Sequence, residues 1–97
     1  MPREHDRIDF VAQIDLESAS GRREATVRDI STGGCYIDTV VGANQGDPVR
    51  FNVIHPNGGS LPFTGEVSHH FEGIGIGVRF TEKTDEQMMF LHRILRK

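Results

Sequence analysis

The stretch Asp9-Phe10-Val11-Ala12-Gln13-Ile14-Asp15-Leu16 decides the fold class. Phe10, Ala12, Ile14 and Leu16 alternate with Asp9, Val11, Gln13 and Asp15, so one side is apolar and the other mostly polar. Successive side chains of a strand point to opposite faces, whereas a helix repeats every 3.6 residues, so the pattern predicts a half-buried β-strand. The same period recurs downstream. Ser18-Ala19-Ser20-Gly21 predicts a turn, and Arg23 to Ile30 a second strand with Ala25 and Val27 on one face. Ser31-Thr32-Gly33-Gly34 ends it, and Cys35-Tyr36-Ile37-Asp38 makes a short third strand. After a turn-rich stretch from Gly42 to Pro48, Val49, Phe51 and Val53 alternate, and His55-Pro56-Asn57-Gly58-Gly59 carries a hairpin signal. Phe63, Gly65 and Val67, then Ile74, Ile76, Val78 and Phe80, complete six short strands. Such spacing predicts an all-β domain, a small barrel or sandwich.

The period changes after Thr84. Thr84 with Gln87 three residues on forms a capping box, and Asp85 and Glu86 suit the positive end of a helix dipole. Met88, Leu91, Ile94 and Leu95 follow at helical spacing, and Arg93, Arg96 and Lys97 suit the negative end. A short amphipathic helix over 84–96 is therefore expected, its apolar side closing one end of the barrel with Met88 in the core. Met89 and Phe90 cannot share a face. One of them is left for a partner, or Phe90 is buried against a loop.

Ninety-seven residues bound the chain to one small domain, with a barrel over 9–81 preceded by a segment 1–8. Eleven Lys and Arg against 14 Asp and Glu give a net charge of −3. That balance argues against binding a nucleic-acid polymer, which runs on surplus cations. Six Phe, one Tyr and no Trp also argue against a barrel that stacks single-stranded RNA. No apolar run approaches the roughly 18 residues of a membrane span, so no membrane insertion is expected. The start of the chain has no signal-peptide pattern, and the lone Cys35 excludes an internal disulfide. A reduced, cytoplasmic domain is the expectation.

Two segments carry chemistry. Arg3-Glu4-His5-Asp6-Arg7 places two arginines four apart before the first strand, and Asp29-Ile30-Ser31-Thr32-Gly33-Gly34 falls between the second and third. Guanidinium groups bind phosphate bidentately and keep their charge. A carboxylate accepts two hydrogen bonds from a guanine edge, a hydroxyl donates to a phosphate oxygen, and glycine admits close approach of backbone. Together they suit a ligand holding both guanine and phosphate. Taken singly, the first also reads as a solvated charged run and the second as an Asx or Ser turn.

In their order and setting these segments resemble the PilZ domain family, bacterial receptors for cyclic di-GMP. The family pattern is Arg-x-x-x-Arg before the first strand and Asp/Asn-x-Ser-x-x-Gly after the second, here Arg3 and Arg7, then Asp29, Ser31 and Gly34. Gly34-Cys35-Tyr36-Ile37, Gly65-Glu66-Val67 and Gly75-Ile76-Gly77-Val78-Arg79-Phe80 look like its later strands. The resemblance implies a six-stranded antiparallel β-barrel with a C-terminal α-helix. It also implies that Arg3 and Arg7 grip phosphates and lie across guanine faces, and that Asp29 takes the Watson–Crick edge. Ser31 would take a phosphate oxygen, with backbone contacts at Gly33 and Gly34. His69 stands where many members carry an aromatic residue, often Trp, and would stack on a base. Pro2 stands where an arginine often precedes the pair, which implies one ligand per domain rather than an intercalated dimer.

The function so implied is a cyclic di-GMP receptor whose N-terminal segment is ordered by ligand. An unidentified protein partner would then be regulated in motility, biofilm or virulence output. No cofactor, metal or enzymatic activity is expected. A dyad of Cys35 with a histidine is outweighed by Cys35 as a small core residue, and His5, His55, His69, His70 and His92 lack metal-ligand spacing. The alternative is a PilZ-like protein-interaction module that has lost ligand binding; such members usually lack the motifs that are intact here.

Overall fold

A computed structural model describes residues 8–19, 21–40, 43–54 and 60–95. Six strands and one helix follow in order: β1 (Ile8–Ser18), β2 (Gly21–Ile30), β3 (Gly34–Asp38), β4 (Pro48–Ile54), β5 (Ser60–Phe71), β6 (Gly75–Glu82) and α1 (Asp85–Leu95). The strands form two antiparallel meanders, β1-β2-β3 and β4-β5-β6. Two seams join them, β1 against β4 and β3 against β6, into a closed barrel. The six-stranded antiparallel barrel with a C-terminal helix is the architecture the resemblance implies, and one of the two, barrel or sandwich, that the alternation predicts.

Period two fills the interior. Ile14, Leu16, Val27, Ile30, Ile37, Val49, Val53, Val67, Ile76 and Val78 are buried, and their strand neighbours face outward. Phe63 stacks on Phe51 with centroids 5.5 Å apart and lies 5.1 Å from Phe80. Burying a side chain of this size contributes about 1.5–3 kcal/mol, so the phenylalanine cluster dominates a small core. Cys35 is part of that core.

Two boundaries differ from the expectation. Strands β1 and β2 run to Ser18 and resume at Gly21, whose φ of +116° suits glycine, so the connection is shorter than the four residues read as a turn. Strand β5 starts at Ser60, before the expected Phe63, and runs on through His69 and His70 to Phe71. A bulge between Val67 and His69 shifts its register against β6 and so breaks the alternation that a sequence reader follows.

Helix α1 begins as its capping box predicts. The Gln87 backbone N–H donates to Thr84 Oγ1 at 3.2 Å, and the Thr84 N–H donates to Gln87 Oε1 at 2.8 Å. The Gln87 side-chain amide also donates to the Pro62 carbonyl, which ties the cap to β5. Phe90 is buried edge-on to Phe10 and Phe63, at 6.0 and 6.1 Å, while Met89 is exposed and Met88 half-buried against the core. Among the described residues, no helix is long and apolar enough to cross a membrane.

Candidate functional site

The turn from β2 to β3 is held from inside. The Ser31 N–H donates to the Gly34 carbonyl at 2.8 Å, Ser31 Oγ donates to the same oxygen at 3.3 Å, and the Gly33 N–H donates to Ser31 Oγ at 3.2 Å. Ser31 is 2% exposed. The turn is tied to β6 on the other side, where the Phe80 N–H donates to the Gly33 carbonyl at 2.9 Å and Lys83 Nζ donates to the Thr32 carbonyl at 3.0 Å. Gly34 is required by packing: a Cβ there would overlap the Val78 carbonyl across the β3–β6 seam. The Ser-turn reading thus describes what Ser31 does in the fold.

Strand registers set the outer face beside this turn. Asp9 pairs with Asp29, Asp29 with Tyr36, Tyr36 with Gly77 and Gly77 with His69, so one outward row crosses β1, β2, β3, β6 and β5. The neighbouring row holds Asp38, Gly75 and Phe71, and on the other side lie Gly34, Arg79 and Glu66. Asp29 and His69 are three strand spacings apart, roughly 14 Å. Bulges at Asp9/Ala12 and Val27/Asp29 restore the alternation so that Ile30 faces the core while Asp29 faces out.

Charge and aromatic surface meet here. Arg28 pairs with Asp38 at 3.3 Å, and Arg79 pairs with Glu66. The Tyr36 phenol is held above its ordinary value of 10, first by burial and then by the carboxylates of Asp38 and Asp29, with Arg28 opposing. It is therefore a neutral hydrogen-bond donor at physiological pH. Tyr36 and His69 each lie about one ring contact from Phe71, with centroids 6.0 and 6.1 Å away. His69 Nδ1 is 2.8 Å from the Ser68 carbonyl.

Asp29, Gly33, Gly34 and His69 thus fall on or beside one face, while Ser31 lies beneath it. Arg3 and Arg7 lie outside the described residues. Tyr36, Phe71, Gly77 and Arg79 also line this face, and neither sequence motif contains them. The alternation in 75–80 already marks Gly75, Gly77 and Arg79 as outward. Tyr36 needed knowledge of the β3–β6 pairing, which no local pattern supplies.

Comparison with known proteins agrees with this architecture. The model of the PilZ domain family matches residues 2–97. Among solved structures, the PilZ domain of CeSA from a cellulose-synthesizing bacterium is 20% identical, with a TM-score of 0.73 over 93% of this chain and 94% of that one. The Bacillus subtilis inhibitor of motility MotI/DgrA is 15% identical, with a TM-score of 0.82 over 97% of this chain and 49% of that one. The PilZ domain of Escherichia coli YcgR, solved with c-di-GMP, is 17% identical, with a TM-score of 0.77 over 98% and 89%. Among curated proteins, none matches the chain.

Proposed function

The chain belongs to the PilZ domain family, and on that premise we propose that it is a cyclic di-GMP receptor acting as a non-catalytic adaptor for a protein partner. One observation carries the reading. Ile8 pairs with Ile30 and Asp9 with Asp29, so the residue bonded to Arg7 begins its strand directly alongside the Asp-x-Ser-x-x-Gly motif. The strand that follows Arg7 in the chain thus starts beside Asp29, 22 residues after Arg7 in the sequence.

In this reading Arg3 and Arg7 hold the phosphates and Asp29 accepts from the guanine Watson–Crick edge. The Gly33-Gly34 backbone lets the ligand approach the turn, and His69 stacks on a base from β5. Ser31 contributes mainly by holding the turn, since its hydroxyl serves Gly33 and Gly34. Ligand fixes residues 1–7 against the β2–β3 turn, and the partner reads the surface so formed. That coupling is no larger than the ligand's differential affinity for the two arrangements. Cys35 packs inside the barrel and offers no accessible nucleophile. The domain would act in the cytoplasm, where this ligand is made and sensed.

Isothermal titration with cyclic di-GMP, with GTP and cyclic GMP as controls, tests this directly. One saturable site selective for cyclic di-GMP is expected. Arg7→Ala is expected to weaken it by about 10- to 150-fold in a folded protein, the cost of one charge-assisted hydrogen bond. Absence of binding by folded wild type favours the second reading, an interaction module without nucleotide, for which the buried and committed Ser31 hydroxyl speaks.

A further inference from the structure

The backbone of Lys83 is fixed on both sides. Strand β6 ends at Glu82, and the Thr84 N–H is committed to the Gln87 side chain in the cap of α1. Just upstream the Phe80 N–H holds the Gly33 carbonyl at 2.9 Å, so this end of β6 runs alongside the β2–β3 turn. From there the Lys83 side chain reaches the turn, and its Nζ donates to the Thr32 carbonyl at 3.0 Å. The bond joins residues 51 apart in sequence and lies at the surface. Such a bond holds little of the fold, because water replaces it readily and a lysine loses rotamer entropy in making it.

The charges around the turn give the ammonium another use. Asp9 and Asp29 stand opposite each other on β1 and β2, and the chain as a whole carries a net charge of −3. Two arginines of the neighbouring outer face are already paired, Arg28 with Asp38 at 3.3 Å and Arg79 with Glu66. Lys83 pairs with no carboxylate among the described residues. Its partner at the turn is a neutral carbonyl, so a full positive charge stands there. An ammonium has three donors, and two remain for other acceptors. The carbonyl gains as well: a bare carbonyl oxygen repels a nearby anion, whereas one capped by an ammonium does not.

We propose that Lys83 is a further ligand-binding residue, its ammonium meeting a phosphodiester of cyclic di-GMP at the β2–β3 turn. This role rests on the receptor reading above and adds a contact from the β6–α1 junction to those assigned to Arg3, Arg7 and Asp29. The Thr32 carbonyl parks the ammonium at the turn in the free protein, so part of the ordering cost precedes the ligand. Lys83 keeps one N–H on Thr32 and turns the others to the phosphate oxygens. A lysine does this as a point charge, without the bidentate geometry of an arginine.

The test is calorimetric titration with cyclic di-GMP at about 0.1 M and about 1 M salt, between which the screening length falls from about 10 Å to about 3 Å. Lys83→Met keeps the length of the stem and removes the charge. At low salt it is expected to bind about tenfold more weakly, the lower end for a charge-assisted hydrogen bond. Its melting temperature is expected to stay within about 4 °C of wild type, as for other surface changes. The affinity gap is expected to narrow at high salt, and Lys83→Arg, which restores the charge, to bind within about threefold of wild type. Arg22→Met removes the same charge at the far end of β2 and is expected to bind as wild type does. Undiminished affinity in Lys83→Met overturns this role while the receptor reading stands. So does an equal loss in Arg22→Met, which would report net charge alone. A loss that salt leaves unchanged and arginine does not restore overturns it too, because it would report the shape of the turn. No binding by folded wild type overturns both readings.

Discussion

The barrel has two outer faces built on the same alternation, and they use it differently. On β2, β1 and β4 charged outward residues satisfy one another: Arg22 lies 3.8 Å from both Asp15 and Glu17, and Arg50 lies 4.0 Å from Glu17. A depression of about 220 Å³ opens there beside Asp15, Glu17, Arg22 and Arg50. On β3, β6 and β5 the outward residues are glycines and aromatic rings, edged by Asp29, Arg79 and the β2–β3 turn. A concavity is therefore a poor guide to a site. The face with the charge-lined hollow has spent its charges on its own neighbours. The other face presents glycine backbone, aromatic rings and the motif together.

Substitutions that treat the two faces alike probe this contrast, and the largest effect is expected at the seam. Gly34→Ala drives a Cβ into the Val78 carbonyl and is expected to destabilise by about 3 kcal/mol or more, lowering the melting temperature by roughly 10–25 °C. Asp15→Ala on the charged face is expected to stay within about 0.5 kcal/mol. Equal melting temperatures for the two variants would erase the contrast at its structural root.

Ligand affinity sharpens it next. Asp29→Ala is expected to weaken cyclic di-GMP binding by about 10- to 150-fold, and Arg22→Ala or Arg50→Ala to leave it unchanged. A loss confined to the Arg22 and Arg50 variants would move the site to the other face.

The third effect is on pH. The folded Tyr36 phenol binds its proton more tightly than the unfolded one, because burial and the Asp38 and Asp29 carboxylates disfavour the phenolate. Its contribution is fully present below the unfolded value of 10 and is lost as pH rises through the higher folded value. Urea midpoints are expected to fall more steeply in wild type than in Tyr36→Phe across this alkaline range. Parallel slopes would show that the phenol senses neither burial nor the acids.

The smallest effect is on the charged face itself. Arg22→Ala removes two exposed ion pairs and is expected to cost at most about 0.5 kcal/mol, less in high salt. A cost of 2 kcal/mol in chemical denaturation would mean that this face holds the barrel together more than its exposure implies.

The sequence reading reached the fold because its evidence is local. Phe10, Ala12, Ile14 and Leu16 mark a strand without reference to anything else, and Thr84 with Gln87 marks a helix start. The motif was legible for the same reason, since Asp29, Ser31 and Gly34 fall within six residues. On β5 a bulge after Val67 inserts one residue and inverts the alternation for His69, His70 and Phe71, so no single period covers that strand. It left Tyr36 unmarked because its place beside Gly77 comes from pairing with a strand far along the chain. Ser31 is the instructive middle case. Its position was legible, but its burial and its bonds to Gly33 and Gly34 depend on how tightly β6 closes over the turn.

The two seams have a kinetic consequence. Each meander pairs strands that follow one another in sequence, whereas the seams join Leu16 to Phe51 and Cys35 to Val78, residues distant in the chain. Loop-closure entropy makes such pairings slow and late, so the meanders can zip first and the seams must wait. The Tyr36–Gly77 row spans the second of these seams. The outer face that this row crosses therefore forms with the later pairings, and a molecule bound across it would act as a clasp that slows the first step of unfolding.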